Sequence, residues 1–310
     1  MNPMRRLFLA LSESEGLRRV AVGFGPFRAM ARRFVAGEEL SEAVAAVQDL
    51  NRLGLLATVD HLGENVTSET EARDATNEIL DLVQAIEASD LQAGVSVKLT
   101  QLGLDMGPWL AADNLQRIVA RAMQADRFVR IDMESSDYVQ ATLDLFAELW
   151  EHYKNVGVVI QSYLYRSADD VARLIEMGAS VRLVKGAYDE PPEVAYPDKS
   201  DTDANFVRLM ELLFSQEARA NGVYPAIATH DTRLIDWAKE HTAQEGILKE
   251  QFEFQMLYGI RTGLQRQLIE EGYKVRSYVP YGQHWYPYFM RRLAERPANV
   301  LFLARNLLRS

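Results

Sequence analysis

The chain has 310 residues, 48% of them hydrophobic and 25% charged, with a formal net charge of −10. This is the composition of an ordinary globular chain, long enough for two domains or one large barrel. The absence of cysteine excludes disulfides, thiol catalysis and cysteine metal sites, and the acidic balance argues against general nucleic-acid binding.

The first residues, "MNPMRRLFLALSESEG", hold too short an apolar run for a signal peptide, and no transmembrane-length stretch follows. The expected location is cytoplasmic, at most peripheral on the inner face of a membrane. Residues 1–36 carry seven arginines against Glu13 and Glu15, a charge of +5 that leaves −15 for the remainder. This basic arm suits an anionic membrane surface, or a helical extension that packs on its own acidic body. "VGFGPF" (22–27) has no preceding strand and lacks the third glycine of a dinucleotide loop, so it reads as a turn. The expected organisation is a helical arm over 1–50 and a barrel domain over 51–310.

Eight runs rich in β-branched residues follow, at 55–62, 94–100, 128–134, 156–163, 180–187, 224–230, 252–257 and 273–280, with helix-like stretches between them. After the first, Ser68-x-x-Glu71 forms a capping box ahead of Ile79, Leu82, Val83 and Ile86 at helical spacing. After the third come Val139, Leu143, Phe146 and Leu149; after the fourth, Ser167-x-x-Asp170 leads into Val171, Leu174 and Ile175. Eight alternations of strand and helix predict a parallel (βα)8 barrel. Apolar residues are expected early in each strand and polar ones at the C-terminal ends, where a barrel of this kind gathers its active site. Those ends hold Asp60, Lys98, Thr100, Asp132, Glu134, Gln161, Arg182, Lys185, Thr229, His230, Glu253, Gln255 and Tyr278.

Nucleophile elbows and metal-binding histidine spacings are missing. Asp60, Asp132 and Glu134 have the chemistry for a magnesium ion, but neighbouring lysines and arginines compete for them. "RLVKGAY" (182–188) places a lysine and a glycine where a phosphate can approach the backbone, or makes a barrel turn with a solvated lysine. In "WYPYFMRRLAE" (285–295), helical winding puts Tyr288, Arg291, Arg292 and Glu295 on one face and Phe289, Met290 and Leu293 on the other. That face is a solvated surface or a guanidinium clamp for a carboxylate.

The ordered motifs "VSVKLTQLG", "RIDMES", "VIQSYLYR", "VRLVKGAY", "ATHD", "FEFQMLYG" and "YPYFMRRLAE" together resemble the FAD-dependent proline dehydrogenases, from about Asp60 to Glu295, in their short monofunctional bacterial form. The resemblance implies a distorted (βα)8 barrel with an N-terminal helical extension and its last helix over the barrel mouth. It implies oxidation of L-proline to Δ1-pyrroline-5-carboxylate by hydride transfer to FAD. Electrons would pass to a membrane quinone, and the product to a separate pyrroline-5-carboxylate dehydrogenase. By the same resemblance Arg291, Arg292 and Lys98 bind the proline carboxylate, while Tyr278, Tyr288 and Leu257 line the pocket. Asp132 and Arg182 are the catalytic pair, Arg182 lying beside the flavin, and Glu64 gates the site through the first arginine. Met133, Gln161, Lys185, Gly186, Ala187, Tyr188, Thr229 and His230 would hold FAD; Asp189 replaces an aromatic residue of some relatives. Two rivals use other chemistry: a Schiff-base aldolase built on Lys98 or Lys185 with Asp132, and a non-catalytic binding module using the basic arm.

Overall fold

In the computed structural model, which describes residues 25–295, eight parallel strands pair in strict chain order and the last returns to the first. They are β1 (Leu56–His61), β2 (Ala93–Val97), β3 (Val129–Ile131), β4 (Val156–Gln161), β5 (Ser180–Val184), β6 (Tyr224–Ala228), β7 (Glu253–Leu257) and β8 (Val275–Tyr281). Helices α1 (Gly25–Ala31) and α2 (Leu40–Arg52) precede the barrel. Around it run α3 (Glu69–Ala88), α4 (Pro108–Gln124), α5 (Val139–Trp150), α6 (Ser167–Glu176), α7 (Lys199–Phe214), α8 (Gln216–Ala220), α9 (Thr232–Gln244) and α10 (Thr262–Glu270), and α11 (Trp285–Glu295) follows β8.

Strands β1 to β6 are shorter at their C-terminal ends than the β-branched runs suggested, while β7 ends at Leu257 as expected and β8 runs one residue further, to Tyr281. Lys98, Thr100, Asp132, Glu134, Lys185, Thr229 and His230 lie just beyond the paired residues, in the loops, because ladder pairing stops where the backbone turns toward the following helix. A second expectation is overturned within the strands. Polar residues are not confined to the C-terminal ends: Arg130, Ser180 and Glu253 stand at or near the starts of β3, β5 and β7, and all are buried. Parity explains this, since alternate side chains of a strand point to opposite faces. Ala57, Val59, Val95, Val97, Val129, Ile131, Val181 and Leu183 belong to the apolar core. Thr58, Ser96, Arg130, Arg182, Gln255 and Arg276 occupy the alternate positions. Arg182 of β5 reaches Ser96 of β2 at 3.2 Å, a bond between non-adjacent strands that must cross the barrel interior.

Ser68 caps α3 as expected, its Oγ accepting the Glu71 amide at 3.2 Å, although Glu71 reaches back to the Thr67 amide (2.7 Å). Ser167 makes no such cap. Its hydroxyl donates to the Gln161 carbonyl at 2.5 Å, and Asp170 is taken by Arg166 at 2.8 Å. "VGFGPF" is only partly what a turn would give, for α1 begins at Gly25 with Pro26 in its first turn, where a missing N–H costs nothing; residues 22–24 lie outside the described residues.

Helix α2 packs against β1 and β8, the flank that the helix after β8 covers in a regular barrel. The expected boundary between arm and barrel, at residues 50 and 51, falls inside it. α11 lies instead across the barrel mouth. Trp285, Tyr286, Tyr288, Phe289 and Met290 are buried in a second apolar cluster with Phe34, Leu62 and Ile260, and Phe27 meets Phe289 edge-on at 5.1 Å. Burying such a ring is worth about 1.5–3 kcal/mol each, enough together to hold a helix over polar loops. The backbone joins in. Ala36 donates to the Pro280 carbonyl at 2.8 Å. At Gly259 (φ +69°) a Cβ would stand 1.6 Å from the Arg33 carbonyl oxygen, so only glycine lets these segments touch. Of the arm's arginines, Arg28 and Arg32 pair with Glu38 and Glu42 at 2.7 and 3.0 Å, which is packing on the chain's own acidic groups. Arg5, Arg6, Arg18 and Arg19 lie outside the described residues.

Candidate active site

At the centre of the mouth four of the expected residues form one network. Asp132, just after β3, accepts Arg182 Nη1 at 2.6 Å on Oδ1 and the Tyr278 hydroxyl at 2.7 Å on Oδ2. Lys98 Nζ stands 3.8 Å from Asp132 and donates to both oxygens of Asp60, at 3.1 and 3.0 Å. Burial pushes the Lys98 ammonium toward neutrality, but Asp60, Asp132 and Glu64 outweigh it, and its pKa is raised. A fixed, charged lysine of this kind is a poor Schiff-base nucleophile. Tyr278 is held strongly in its protonated form by burial and by Asp132 and Asp60, so it is a donor. The Arg182 guanidinium lies 5.4 Å from the Tyr278 ring centroid.

Above this network, α11 brings Arg291 onto Glu64 at 2.6 Å. Burial alone would push the Glu64 carboxyl up; Arg291 and Lys98 more than offset it, and the pKa is lowered. Arg291 is in turn raised, with Glu64 overcoming burial. Arg292 lies over the Tyr288 ring, 5.2 Å from its centroid, and Tyr288 is buried. The side chain of Glu295 lies outside the described residues. Leu257, at the end of β7, packs with Tyr278 against the α11 cluster. Tyr188 feels burial first, then Glu64 and Glu134, and is kept protonated, which places it beside the same charges.

The remaining expected residues form a separate group. Lys185 joins Asp203 (2.5 Å) and Asp231 (3.1 Å), not the Lys98 network. Lys199 and Arg233 meet the same two carboxylates, giving three cations against two anions at a partly exposed edge. The Asp231 pKa is lowered, chiefly by the Arg233 hydrogen bond. Gly186 has φ +115°, and a Cβ there would stand 2.3 Å from the Tyr163 ring, so the Lys185–Tyr188 turn needs glycine. Thr229 Oγ1 accepts the Asp231 amide at 3.1 Å. His230 Nε2 accepts the Leu257 amide at 3.1 Å, tying this group to the pocket wall. Gln161 donates to the Glu134 carbonyl at 2.7 Å, Met133 is buried in the main apolar core, and Ala187 is exposed. Glu134 itself is bound by Thr100 through amide and hydroxyl. Asp60 is engaged by Lys98, Asp132 by Arg182 and Tyr278, and Glu134 by Thr100, and among the described residues no three such groups converge as a metal site.

The sequence offers Asp60 as a magnesium candidate and Gln255 as a polar strand end, but gives no role to Ser96, Asp203, Lys199 or Arg233. Gln255 accepts Arg182 Nε at 2.6 Å and donates to Glu253 at 2.5 Å. Alternate polar positions inside otherwise apolar strands were the available signal.

A closed parallel barrel whose mouth gathers Lys98, Arg182, Arg291 and Arg292, an acid–tyrosine pair and a covering helix is the frame of an enzyme. The proline dehydrogenase family profile matches residues 43–305, and the chain belongs to that family of oxidoreductases. It is 44% identical over 306 residues to proline dehydrogenase 1 of Bacillus subtilis subsp. natto, covering 99% of each chain. It is 44% identical over 285 residues to the proline dehydrogenase of Deinococcus radiodurans, covering 90% of each. A crystal structure of proline utilization A from Bdellovibrio bacteriovorus, inactivated by N-propargylglycine, superposes with a TM-score of 0.82 at 29% identity over 94% of this chain and 36% of that one.

Proposed function

We propose that the chain oxidises L-proline to Δ1-pyrroline-5-carboxylate, with FAD as the hydride acceptor. The observation that carries this reading is the pairing of Arg291 on α11 with Glu64, directly over the Lys98–Asp132–Arg182–Tyr278 network. A guanidinium already engaged with a carboxylate at the mouth can exchange it for the carboxylate of an amino acid.

Arg291, Arg292 and Lys98 then bind the substrate carboxylate, and Glu64 gates entry by holding Arg291 until substrate takes its place. Leu257, Tyr278 and Tyr288 wall the ring, and the aromatic cluster of α11 excludes water. Asp132 fixes Tyr278 and Arg182 through its two oxygens, so neither needs to reorganise during the reaction. The substrate amine must shed its proton as C5 loses hydride, since only the neutral nitrogen can share its lone pair to form C=N.

The residues present fit FAD. Lys185, Lys199 and Arg233 leave one net positive charge beside a glycine turn, which suits a diphosphate, with Gly186, Ala187, Tyr188, Thr229 and His230 contributing backbone and side-chain contacts. Gln161, Met133 and Arg182 would meet the ring system, Arg182 supplying the cation. FAD supplies the two-electron acceptor that no side chain of the chain can provide. We further propose that electrons leave to a membrane quinone and that a separate pyrroline-5-carboxylate dehydrogenase takes the product. No helix among the described residues is long and apolar enough to cross a membrane, so that contact would be peripheral.

Purified protein should be yellow, release FAD on denaturation and lose its flavin absorbance when proline is added without oxygen. Protein that binds FAD but is not bleached by proline would overturn the substrate; failure to bind FAD would overturn the cofactor.

A further inference from the structure

The opposite end of the barrel holds a cavity of about 180 Å³, bordered by Arg130, Arg182, Tyr224, Glu253, Lys274 and Arg276 among others. That is room for several waters or a small ion. Its charges do not balance. Arg182 is neutralised by Asp132 at 2.6 Å, and Arg276 grips Glu253 at 2.7 and 3.0 Å. Arg130 has carbonyl and hydroxyl hydrogen-bond partners, Val158 O at 3.0 Å, Ser180 O at 2.7 Å and Ser180 Oγ at 3.0 Å, and lies over the Phe128 ring, 4.9 Å from its centroid. It is 4% exposed, no carboxylate pairs with it, and its Nε has no hydrogen-bond partner among the described residues. A buried cation without a counter-charge is costly. Burial pushes the Arg130 pKa down to about 9, with Arg182 and Arg276 adding to the push and Glu253 and Asp132 opposing it only in part, while arginine in practice keeps its proton. Lys274 is exposed at the rim, 5.6 Å from the Tyr224 ring centroid and bonded to the Glu250 carbonyl at 3.0 Å, and is the fourth positive group bordering the cavity.

We propose that this base cavity is a binding site for a small monoanion of halide or nitrate size, with Arg130 as its inner ligand and Arg276 and Lys274 completing the positive wall. The occupant supplies the counter-charge that Glu253, committed to Arg276 and Gln255, does not give to Arg130. The site is distinct from the mouth yet mechanically joined to it. Arg276, Glu253, Gln255, Arg182 and Asp132 form an unbroken hydrogen-bonded series along the barrel interior.

Bromide is the probe. With the full chain at pH 8 and ionic strength held constant by exchanging sodium bromide for the sodium salt of HEPES as the reference anion, Tm should rise saturably. The rise should be about 2 °C when bromide reaches ten times its Kd. Lys274→Glu, a substitution at an exposed position, should raise the half-saturating bromide concentration several-fold. Crystals soaked in bromide should give anomalous density bordered by Arg130 and Arg276. No saturable rise, an unchanged half-saturation in Lys274→Glu, or water alone in the cavity of soaked crystals would each overturn the proposal. Bromide seated on Arg291 at the mouth gives the second of these results.

Discussion

Replacing Arg291 by lysine tests whether α11 reads a carboxylate. The substitution keeps the charge and so most of the long-range attraction, but an ammonium cannot reproduce the planar fork. In the structure that fork donates to Glu64 at 2.6 Å, the short distance of a charge-assisted bond. One such bond is worth about 1.5–3 kcal/mol, so kcat/KM for proline should fall about 10- to 150-fold. The carboxylate carries the same charge in the ground and transition states, so the loss should fall mainly on KM. Pyrrolidine, which lacks the carboxylate, should lose little. The assay is steady-state kinetics of wild type and Arg291→Lys with both compounds and a soluble dye as acceptor. Flavin content measured alongside should not change, because the Lys185 group is separate from α11. An equal fall for proline and pyrrolidine would refute the reasoning and return Arg291 to a purely structural partner of Glu64.

Three further outcomes are expected. Lys98→Met strands the fully buried Asp60, which should cost about 3–5 kcal/mol, or about 5–8 °C in Tm by calorimetry; adding Asp60→Asn should recover most of it, and no recovery would mean the pair is not the cause. Glu64 has a folded pKa below its unfolded value, so its stabilisation is present above about pH 4.3 and lost as pH falls through the lower folded value. Acid unfolding curves of Glu64→Gln should accordingly be less steep below about pH 4.3 than those of wild type, and superimposable curves would show that Glu64 is not held by Arg291 in solution. Gly186→Ala must accommodate φ +115° and a contact with Tyr163, at about 1–3 kcal/mol; the flavin-to-protein ratio after dialysis should drop, and unchanged retention would remove this turn from the cofactor site.

Much of the molecule is legible in local pattern. Strands β1 to β8 stand out as β-branched runs because a strand buried on both faces by a barrel must be apolar on at least one. The Arg291–Arg292 pair within an aromatic helix announces itself, since such charges on a largely apolar element need a reason to be there. Only the family resemblance grouped Lys98, Asp132, Arg182 and Tyr278 in one site; on their own they were singled out as polar strand ends. Their mutual contacts were not, because each comes from a different strand and its partner lies 34 to 146 residues away.

The strand runs, their order and the identity of the charged groups are properties of the sequence by itself, since they follow from side-chain chemistry repeated at short spacing. Which face each charge occupies was decided only by tertiary structure. Arg130 and Val129 are neighbours in the chain, yet one lines the barrel interior and the other packs in the apolar core. Strand parity sends them apart, but only closure of the sheet says which side is the interior. The same closure carries Lys185 to Asp203 and Asp231 rather than to Lys98, and turns Arg276, Glu253, Gln255 and Arg182 into one series. Interactions across a barrel depend on where eight separate segments meet, and no local spacing encodes that meeting point.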